Sequence, residues 1–377
     1  MAALNPLGSS KCVAVKIGSA LLVNAETGQI NQDWLAGIAQ DIATLKNAGK
    51  NVLIVSSGAI ALGRHRLGLG RGKISLAQKQ ASAAAGQSIL TQAYEDVLAP
   101  HGIVTAQALL TLNDTEDRRR WINARETLST LIFLKAVPII NENDTVATDE
   151  IRYGDNDRLA ARVAQMIGAD CLVLLSDVDG LYDKDPTQNT DAQHIAEIST
   201  LTPEIMNMGG EANQQVGVGS GGMATKLQAA KIATEAGCAV AITKGDRIRP
   251  LTALLDNKLK ASWFKARSNS LAARKQWIAG SLKPQGKVII DAGAAKALAG
   301  GNSLLAAGVT DIQGPFQKGD AVEIQGPAGE CLGRGLCGYS ADDALKIKGL
   351  KSGDIEATLG YDGGTTLIHR DNMVLET

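Results

Sequence analysis

Two lysines stand where the sequence could hold phosphate. Lys16 ends an apolar run and precedes the small-residue turn 18–20, and Lys226 follows the glycine run "VGVGSGG". A glycine run that enters a helix brings backbone amides close to an anion, and the helix dipole favours negative charge there. Lysines act as point charges on phosphate oxygens. Two of them on different loops could hold a transferring phosphoryl group, a reaction that needs mainly positioning and electrostatic stabilisation.

A third candidate cluster lies in "RYGDNDRLAARVA", residues 152–164, where Asp155, Asn156 and Asp157 precede an alanine-rich apolar run. Taken alone, this pattern predicts a helix start, because Asp and Asn are preferred N-caps and acids in the first turn suit the helix dipole. Apolar residues continue at helical spacing after it. A structural helix start and a functional cluster are both open at this point.

Other phosphate and metal motifs fit the sequence poorly. Gly217, Gly219 and Gly222 match GxGxxG, but the preceding "EIMNMGGEANQQ" is no apolar strand, so the dinucleotide-binding context fails. The chain contains no P-loop motif, and its His-Arg-Asp tripeptide at 369–371 is not followed at the required spacing by the asparagine of a protein-kinase catalytic loop. Its five cysteines are scattered and include no CxxC pair, which indicates a reducing compartment rather than zinc or disulfides.

Predicted strands and helices, which would position these residues, alternate along the first two-thirds of the chain. Short apolar runs predict strands at 11–17, 51–56, 102–109, 136–141, 170–176 and 238–243, and helical patterns lie between them, such as 31–47 and 75–98. Alternating strands and helices predict a mainly parallel sheet covered on both faces. Ligands of such sheets bind at the carboxyl ends of the strands, where the candidate residues fall.

Length, net charge and changes in composition along the chain predict two domains in an ordinary cytoplasmic protein. The 377 residues carry a net charge of −1, which gives no reason to expect a nucleic-acid or membrane partner. Residues 247–285 hold nine Lys/Arg against one acid and read equally as a solvated connector or a seam. From residue 286 the chain shows short strands, many glycines and one short helix. We therefore predict a first domain at 9–255, a connector at 256–285 and a β-rich domain at 286–377.

Six blocks resemble one known family. "VKIGSA", "VSSGAIALG", "INENDTVAT", "YGDNDRLAARVA", "LLSDVDGLYDKDP" and "GSGGMATKLQAA" occur in the order seen in the amino acid kinase family, most similarly in its glutamate-phosphorylating members. The tail from about residue 286 resembles a PUA domain. The likeness extends over nearly the whole chain and implies a three-layer α/β sandwich with a mainly parallel sheet, followed by a small β-rich PUA-like domain.

The resemblance implies an ATP-dependent kinase that phosphorylates the side-chain carboxylate of L-glutamate. Its product, γ-glutamyl phosphate, would feed proline synthesis, and L-proline would inhibit the enzyme. ATP and Mg²⁺ are the implied cofactors, with the metal held mainly through the ATP phosphates rather than by the protein. A homo-oligomer, dimer or tetramer, is implied, as is a functional association with the reductase that consumes γ-glutamyl phosphate.

The resemblance also assigns roles to residues. Lys16 and Lys226 would contact the moving phosphoryl group, and Asp157 would orient them. The residues implied for glutamate are Ser57, Gly58, Asp144, Asp155 and Asn156. The residues implied for ATP are Lys16, Ser176, Asp177, Ser220, Gly221, Gly222, Met223, Ala224, Thr225 and Lys226. A glutamate carboxylate is already ionised at neutral pH, so this chemistry requires no general base.

Two alternatives stay open. A kinase of the same fold could act on another small carboxylic acid, such as aspartate or N-acetylglutamate. The chain could instead be an RNA-associated PUA protein. Residues 286–377 hold eight Lys/Arg and twelve Asp/Glu, and an acidic module is a poor binder of a phosphate backbone.

Overall fold

The chain forms two compact units, residues Met1–Ser270 and Leu271–Thr377. The structure, a computed structural model, describes residues 5–24, 26–70, 72–146, 156–210, 222–267 and 283–375. Within these ranges no helix combines the length and the apolar character needed to cross a membrane.

An eight-stranded sheet forms the centre of the first unit. The strands of this unit are β1 (Cys12–Ile17), β2 (Asn51–Ser56), β3 (Thr105–Leu110), β4 (Val137–Glu142), β5 (Cys171–Ser176), β6 (Leu181–Tyr182), β7 (His194–Ile195), β8 (Glu197–Ile198), β9 (Ala239–Lys244) and β10 (Ala261–Phe264). The order across the sheet is β3-β4-β2-β1-β5-β9-β10-β8, with β6 and β7 forming a separate hairpin. All pairings from β3 to β9 are parallel, and only β10 runs antiparallel to its neighbour β9. The predicted mainly parallel sheet is confirmed.

Helices cover both faces of this sheet. They are α1 (Pro6–Ser9), α2 (Ser19–Leu22), α3 (Gln32–Asn47), α4 (Ala59–Arg66), α5 (Leu76–Leu98), α6 (Leu112–Glu116), α7 (Arg118–Phe133), α8 (Asn156–Ile167), α9 (Pro203–Asn207), α10 (Met223–Glu235) and α11 (Pro250–Leu255). Side chains alternate along a strand, so β1 sends Val13 and Val15 into a core with α3 and α5 and sends Ala14 into a core with α8 and α10. The predicted three-layer arrangement is confirmed by these two cores.

Helices α4 and α5 touch through bare backbone. A Cβ at Gly63 would lie 1.7 Å from the carbonyl oxygen of Ser82, and one at Gly86 would lie 1.8 Å from that of Ala59. No side chain fits there unless the helices separate, which is why both positions are glycine. The close contact holds the start of α4 and the middle of α5 in a fixed relation beside the end of β2.

We expect Gly86→Ala to lower the free energy of unfolding by about 2–3 kcal/mol or more, because a methyl group forces apart two closely packed backbones. Chemical denaturation of the wild type and the variant measures the difference. Ser88→Ala, at an exposed position of the same helix, is the control and is expected to change little. An unchanged unfolding midpoint for Gly86→Ala would show that the two helices pack less tightly than the structure indicates.

Part of the predicted connector belongs to the sheet. Residues 261–264 lie within the predicted range 256–285, yet they form β10 and pair with β9 and β8. Ala261 and Phe264 are buried there. The strand is only four residues long and lies between Lys260 and Lys265, so the basic composition of the region concealed it. Residues 268–282 of the predicted connector lie outside the described residues.

The second unit is rich in strands, as the sequence predicts. Its strands are β11 (Gly286–Ile290), β12 (Leu304–Leu305), β13 (Val309–Gln313), β14 (Ala321–Gln325), β15 (Cys331–Leu336), β16 (Thr366–Ile368) and β17 (Met373–Leu375). Five of them form a sheet in the order β13-β11-β14-β15-β17, and β12 pairs with β16.

The prediction of a single short helix in this unit is wrong. The unit contains α12 (Ala292–Ala299), α13 (Ala341–Ile347) and α14 (Ile355–Leu359). Two of these helices begin after an N-cap residue whose side chain accepts a hydrogen bond from a first-turn amide. Asp291 accepts from Ala294 N, and Ser340 accepts from Asp343 N. Such N-caps let helices form in segments that are short and glycine-flanked.

Candidate active site

Three elements bring the candidate catalytic residues together on one face of the sheet. Lys16 is the fifth residue of β1 and points to the same face as Ala14, where α8 and α10 pack. Asp157 lies in the first turn of α8, and Lys226 lies in the first turn of α10. Because these positions are the carboxyl end of a strand and the amino ends of two helices, the three side chains converge at one edge.

The three side chains form a buried charged cluster. Lys16 Nζ lies 2.6 Å from Asp157 Oδ1, and Lys226 Nζ lies 3.2 Å from Asp157 Oδ2. The exposed fractions are 7% for Lys16, 3% for Lys226 and 0% for Asp157. The two ammonium groups thus share one carboxylate, and each uses a different oxygen of it.

The cluster carries a surplus positive charge. Burial alone would raise the pKa of Asp157, but the adjacent ammonium groups of Lys16 and Lys226 outweigh it and hold the pKa below its ordinary value. The carboxylate is therefore ionised at neutral pH and cancels one of the two lysine charges. What remains is one positive charge in a buried site, which suits a phosphate anion.

The start of α10 extends this anion site. Gly222 is the N-cap, and Thr225 Oγ1 donates to its carbonyl oxygen at 2.8 Å. Amides in the first turn of a helix, here those of Met223 and Ala224, have no acceptor inside the helix and can point at an anion. The predicted nucleotide residues Ser220 and Gly221 lie outside the described residues.

On the other side of the cluster, side-chain amides meet a hydroxyl. Asn156, next to Asp157 in the chain, donates from Nδ2 to Ser57 Oγ at 2.8 Å and to Asn141 Oδ1 at 3.0 Å. Asn141 Nδ2 donates in turn to Gln87 Oε1 at 2.9 Å. Two adjacent residues of α8 therefore connect the charged cluster to a neutral polar pocket.

The loop after β2 holds Ser57 in place. Ser57 N donates to the carbonyl oxygen of Ile17 at 3.1 Å, which ties the loop to β1. Gly58 follows with a φ of 117°, a backbone conformation that side chains disfavour, and a Cβ there would lie 3.2 Å from Val23 Cγ2. Glycine at this position lets the chain turn directly from β2 into α4.

The other predicted residues that the structure describes lie at or after the ends of other strands of the sheet. Ser176 ends β5, and its hydroxyl donates to Asp177 Oδ1 at 2.8 Å, at the strand end next to Lys16. Asp144 follows β4, and burial raises its pKa to about 6. Among the described residues, no hydrogen bond or ion pair joins Asp144 to the charged cluster. Asp155 lies outside the described residues.

Sequence reasoning missed Asn141 and Gln87. Asn141 had a usable signal, because it is the polar residue that closes the apolar strand predicted at 136–141. Gln87 had none, since it is one of several glutamines in a small-residue helix. Only the packing of α5 beside β4 brings the two side chains together.

Comparison with known proteins agrees with these observations. The amino acid kinase family matches residues 11–244, and the PUA domain matches residues 286–359. Glutamate 5-kinases from Dinoroseobacter shibae and Caulobacter vibrioides are 56% and 57% identical, over 98% and 97% of this chain and 99% and 97% of their own lengths. Glutamate 5-kinase from Paramagnetospirillum magneticum is 55% identical over 99% of this chain and all of its own length. The chain therefore belongs to the amino acid kinase family and is related over nearly its whole length to glutamate 5-kinases.

Proposed function

We propose that this protein transfers the γ-phosphoryl group of ATP to the side-chain carboxylate of L-glutamate. The observation that carries the proposal is the buried Lys16–Asp157–Lys226 cluster, with Asn156 and Ser57 directly beside it. The charged cluster offers positive charge to phosphate, and Asn156 and Ser57 offer polar groups to a small acid. The relatives, which are glutamate 5-kinases, supply the identity of the acid.

In the proposed reaction a glutamate carboxylate oxygen attacks the γ-phosphorus. The new O–P bond forms as the bond between the γ-phosphorus and the β–γ bridging oxygen breaks, and ADP leaves with that bonding pair. The main difficulty is bringing two anions together, so the protein contributes positive charge and positioning. Lys16 and Lys226 would hold the phosphoryl oxygens from two sides.

Asp157 acts on the lysines in this account rather than on a proton. Each of its oxygens already faces one ammonium group, and its pKa lies below the ordinary value, so it is a poor base at neutral pH. Its role is to hold Lys16 and Lys226 at one point against their mutual repulsion. The nucleophile needs no base, because it is already ionised.

The residues fit ATP better than they fit a metal held by the protein. Both carboxylate oxygens of Asp157 face lysines, whereas the start of α10, which contains Lys226, has first-turn amides with no acceptor inside the helix. Mg²⁺ bound through the ATP phosphates would neutralise charge on the transferring group. Ser176 and Asp177, at the neighbouring strand end, are proposed to contact the nucleotide.

At the acid end, Ser57, Gly58, Asn156, Asp144 and Asp155 are proposed to hold glutamate. The Ser57 hydroxyl can donate to a carboxylate oxygen. A carboxylate at Asp144 would pair with the substrate ammonium group.

Asp144→Asn should weaken glutamate binding and stabilise the protein at neutral pH. A pKa raised to about 6 means that ionising Asp144 costs folding free energy as the pH rises from about 4 through 6. The variant should therefore melt higher than the wild type at pH 7 and equally at pH 4, while its KM for glutamate at pH 7 rises about tenfold or more. Thermal melts and steady-state kinetics across this pH range measure both. A KM that is unchanged would remove Asp144 from the substrate site.

Hydroxylamine trapping tests the proposed function. Acyl phosphates react with hydroxylamine to give hydroxamates, so the assay with ATP and Mg²⁺ is run separately with L-glutamate, L-aspartate and N-acetylglutamate. Hydroxamate from glutamate alone is the expected result. A signal from another acid would replace the substrate and keep the chemistry, and no signal from any of them would reject the carboxylate kinase.

The finer parts of the proposal rest on the family resemblance. We propose that the reaction is the first step of proline synthesis in the cytoplasm, that L-proline inhibits it, and that the active form is a homo-oligomer, a dimer or tetramer. A functional association with the reductase that consumes γ-glutamyl phosphate is included, because acyl phosphates hydrolyse readily. The domain limits 9–255, 256–285 and 286–377 remain proposals, with β10 counted in the kinase sheet.

A further inference from the structure

The polar end of the candidate site extends deeper than the residues proposed to touch glutamate. Asn156 donates to Asn141, and Asn141 donates to Gln87 on α5. Gln87 Nε2 donates further to Thr91 Oγ1 at 3.3 Å, one helical turn along. We call these four side chains the amide relay. It runs from the middle of α5 to the first residue of α8.

Thr91 sets the direction of the relay. Its hydroxyl has a single hydrogen, which it donates to the carbonyl oxygen of Gln87 at 3.0 Å. Towards the Gln87 side chain Thr91 can therefore only accept, so the group facing it must be the amide nitrogen. The Oε1 atom of Gln87 is then left to face Asn141. By the same reasoning Asn141 turns its Nδ2 to Gln87 and its Oδ1 to Asn156.

The last member of the relay ends in an open acceptor. Asn156 uses Nδ2 for Asn141, for Ser57 and, at 3.4 Å, for the carbonyl oxygen of Ser56, and its Oδ1 is buried with no hydrogen-bond partner in the described part of the chain. A buried acceptor without a partner is unfavourable and calls for a donor. Ser57 accepts from Asn156 and keeps its own hydrogen for a ligand oxygen. The pair thus offers one acceptor and one donor, which matches the ammonium and carboxylate groups of an amino acid.

We propose that Gln87 is a positioning residue for substrate binding. It acts through Asn141, and together with the Ser56 carbonyl oxygen it holds the Asn156 amide so that Oδ1 accepts from the substrate ammonium group. If the Asn156 amide were rotated by half a turn, its NH₂ group would face the ammonium group and repel it. This inference rests on the proposed function, since it takes an amino acid as the substrate.

Gln87→Met tests the relay, because methionine keeps the length of the side chain and removes both polar atoms. We expect the KM for L-glutamate to rise about 3- to 10-fold, the range for one lost hydrogen bond, with the KM for ATP unchanged. The melting temperature should fall by a few degrees, because the buried Asn141 Nδ2 loses its acceptor. Gln92→Met is the matched control. It makes the same substitution on the exposed side of the same helix, where Gln92 bonds only to Asp96 among the contacts described, and it should leave all three values unchanged.

A double variant separates positioning from general structural damage. If Gln87 acts through Asn141, then Gln87→Met combined with Asn141→Ala should raise the KM for glutamate no more than Asn141→Ala alone. Additive effects would overturn the relay, and so would a KM for glutamate that is unchanged in Gln87→Met or a KM for ATP that rises in parallel with it. These results would leave glutamate phosphorylation by the wild type intact. A wild type that makes no hydroxamate from glutamate would instead overturn the proposed function and this inference with it.

Discussion

Asp157→Asn lowers kcat by at least about 100-fold at saturating ATP and glutamate, if the charged cluster works as proposed. Asparagine keeps the shape of the side chain but removes the charge that holds Lys16 and Lys226 together. The two buried ammonium groups then repel each other and move away from the positions in which they would hold the phosphoryl group. Steady-state kinetics with ATP and glutamate measures the loss.

The same variant has a stability effect with a defined pH dependence. Removing one partner of a buried ion pair typically costs about 3–5 kcal/mol. Because the pKa of Asp157 lies below its ordinary value, its stabilising contribution is present above pH 4 and is lost as the pH falls through the lowered pKa. The wild type and the variant should therefore differ in unfolding free energy at pH 7 and converge in acid.

Asp191→Asn is the control for this comparison, since Asp191 pairs with Lys184 on the surface. It should leave both kinetics and stability unchanged. An Asp157→Asn protein that is folded and fully active would contradict the charged cluster as a catalytic site. A variant that loses only about 1 kcal/mol of unfolding free energy and keeps its kcat would favour the simpler interpretation of Asp157 as a helix-start residue.

Lys226→Ala should also lower kcat by at least about 100-fold, by analogy with the loss of one donor to a transition state. Here the fold should survive, because Asp157 keeps its 2.6 Å ion pair with Lys16 and is not left alone. The kinetic effect is thus separate from stability. Circular dichroism and a thermal melt establish the folded state before kcat is compared.

Lys231→Ala on the same helix is the matched control, since Lys231 is exposed and lies outside the cluster. It should retain wild-type kcat. Near-normal turnover by Lys226→Ala would place the phosphoryl group elsewhere.

The sequence was sufficient to bring Lys16, Asp157 and Lys226 to one edge. Lys16 lies near the end of an apolar strand pattern, and Asp157 and Lys226 lie near the starts of helical patterns that lead into the strands predicted at 170–176 and 238–243. In a parallel sheet the carboxyl ends of the strands and the amino ends of the connecting helices lie at one edge. The segment "GDNDR" allowed two interpretations, a helix start and a functional cluster, and the two are compatible. Asn156 starts α8, and Asp157 in its first turn binds both lysines.

Features that depend on long-range packing could not be read in this way. Gln87 and Asn141 are 54 positions apart and meet only because α5 lies against the face of the sheet to which Asn141 points. The contact of Gly63 with Ser82 and of Gly86 with Ala59 likewise has no local signal. Strand β10 escaped notice because four residues between lysines carry too little periodicity.

The central claim is that a glutamate carboxylate oxygen attacks the γ-phosphorus at this cluster. Glutamate labelled with ¹⁸O in its side-chain carboxylate is converted in the presence of ATP and Mg²⁺, and the acyl phosphate is trapped with hydroxylamine. Hydroxylamine attacks the carbonyl carbon, so the bridging oxygen leaves with phosphate. The account predicts one ¹⁸O in each phosphate released with hydroxamate, measured by mass spectrometry. Unlabelled phosphate would show that water rather than the carboxylate receives the phosphoryl group, and would contradict the account.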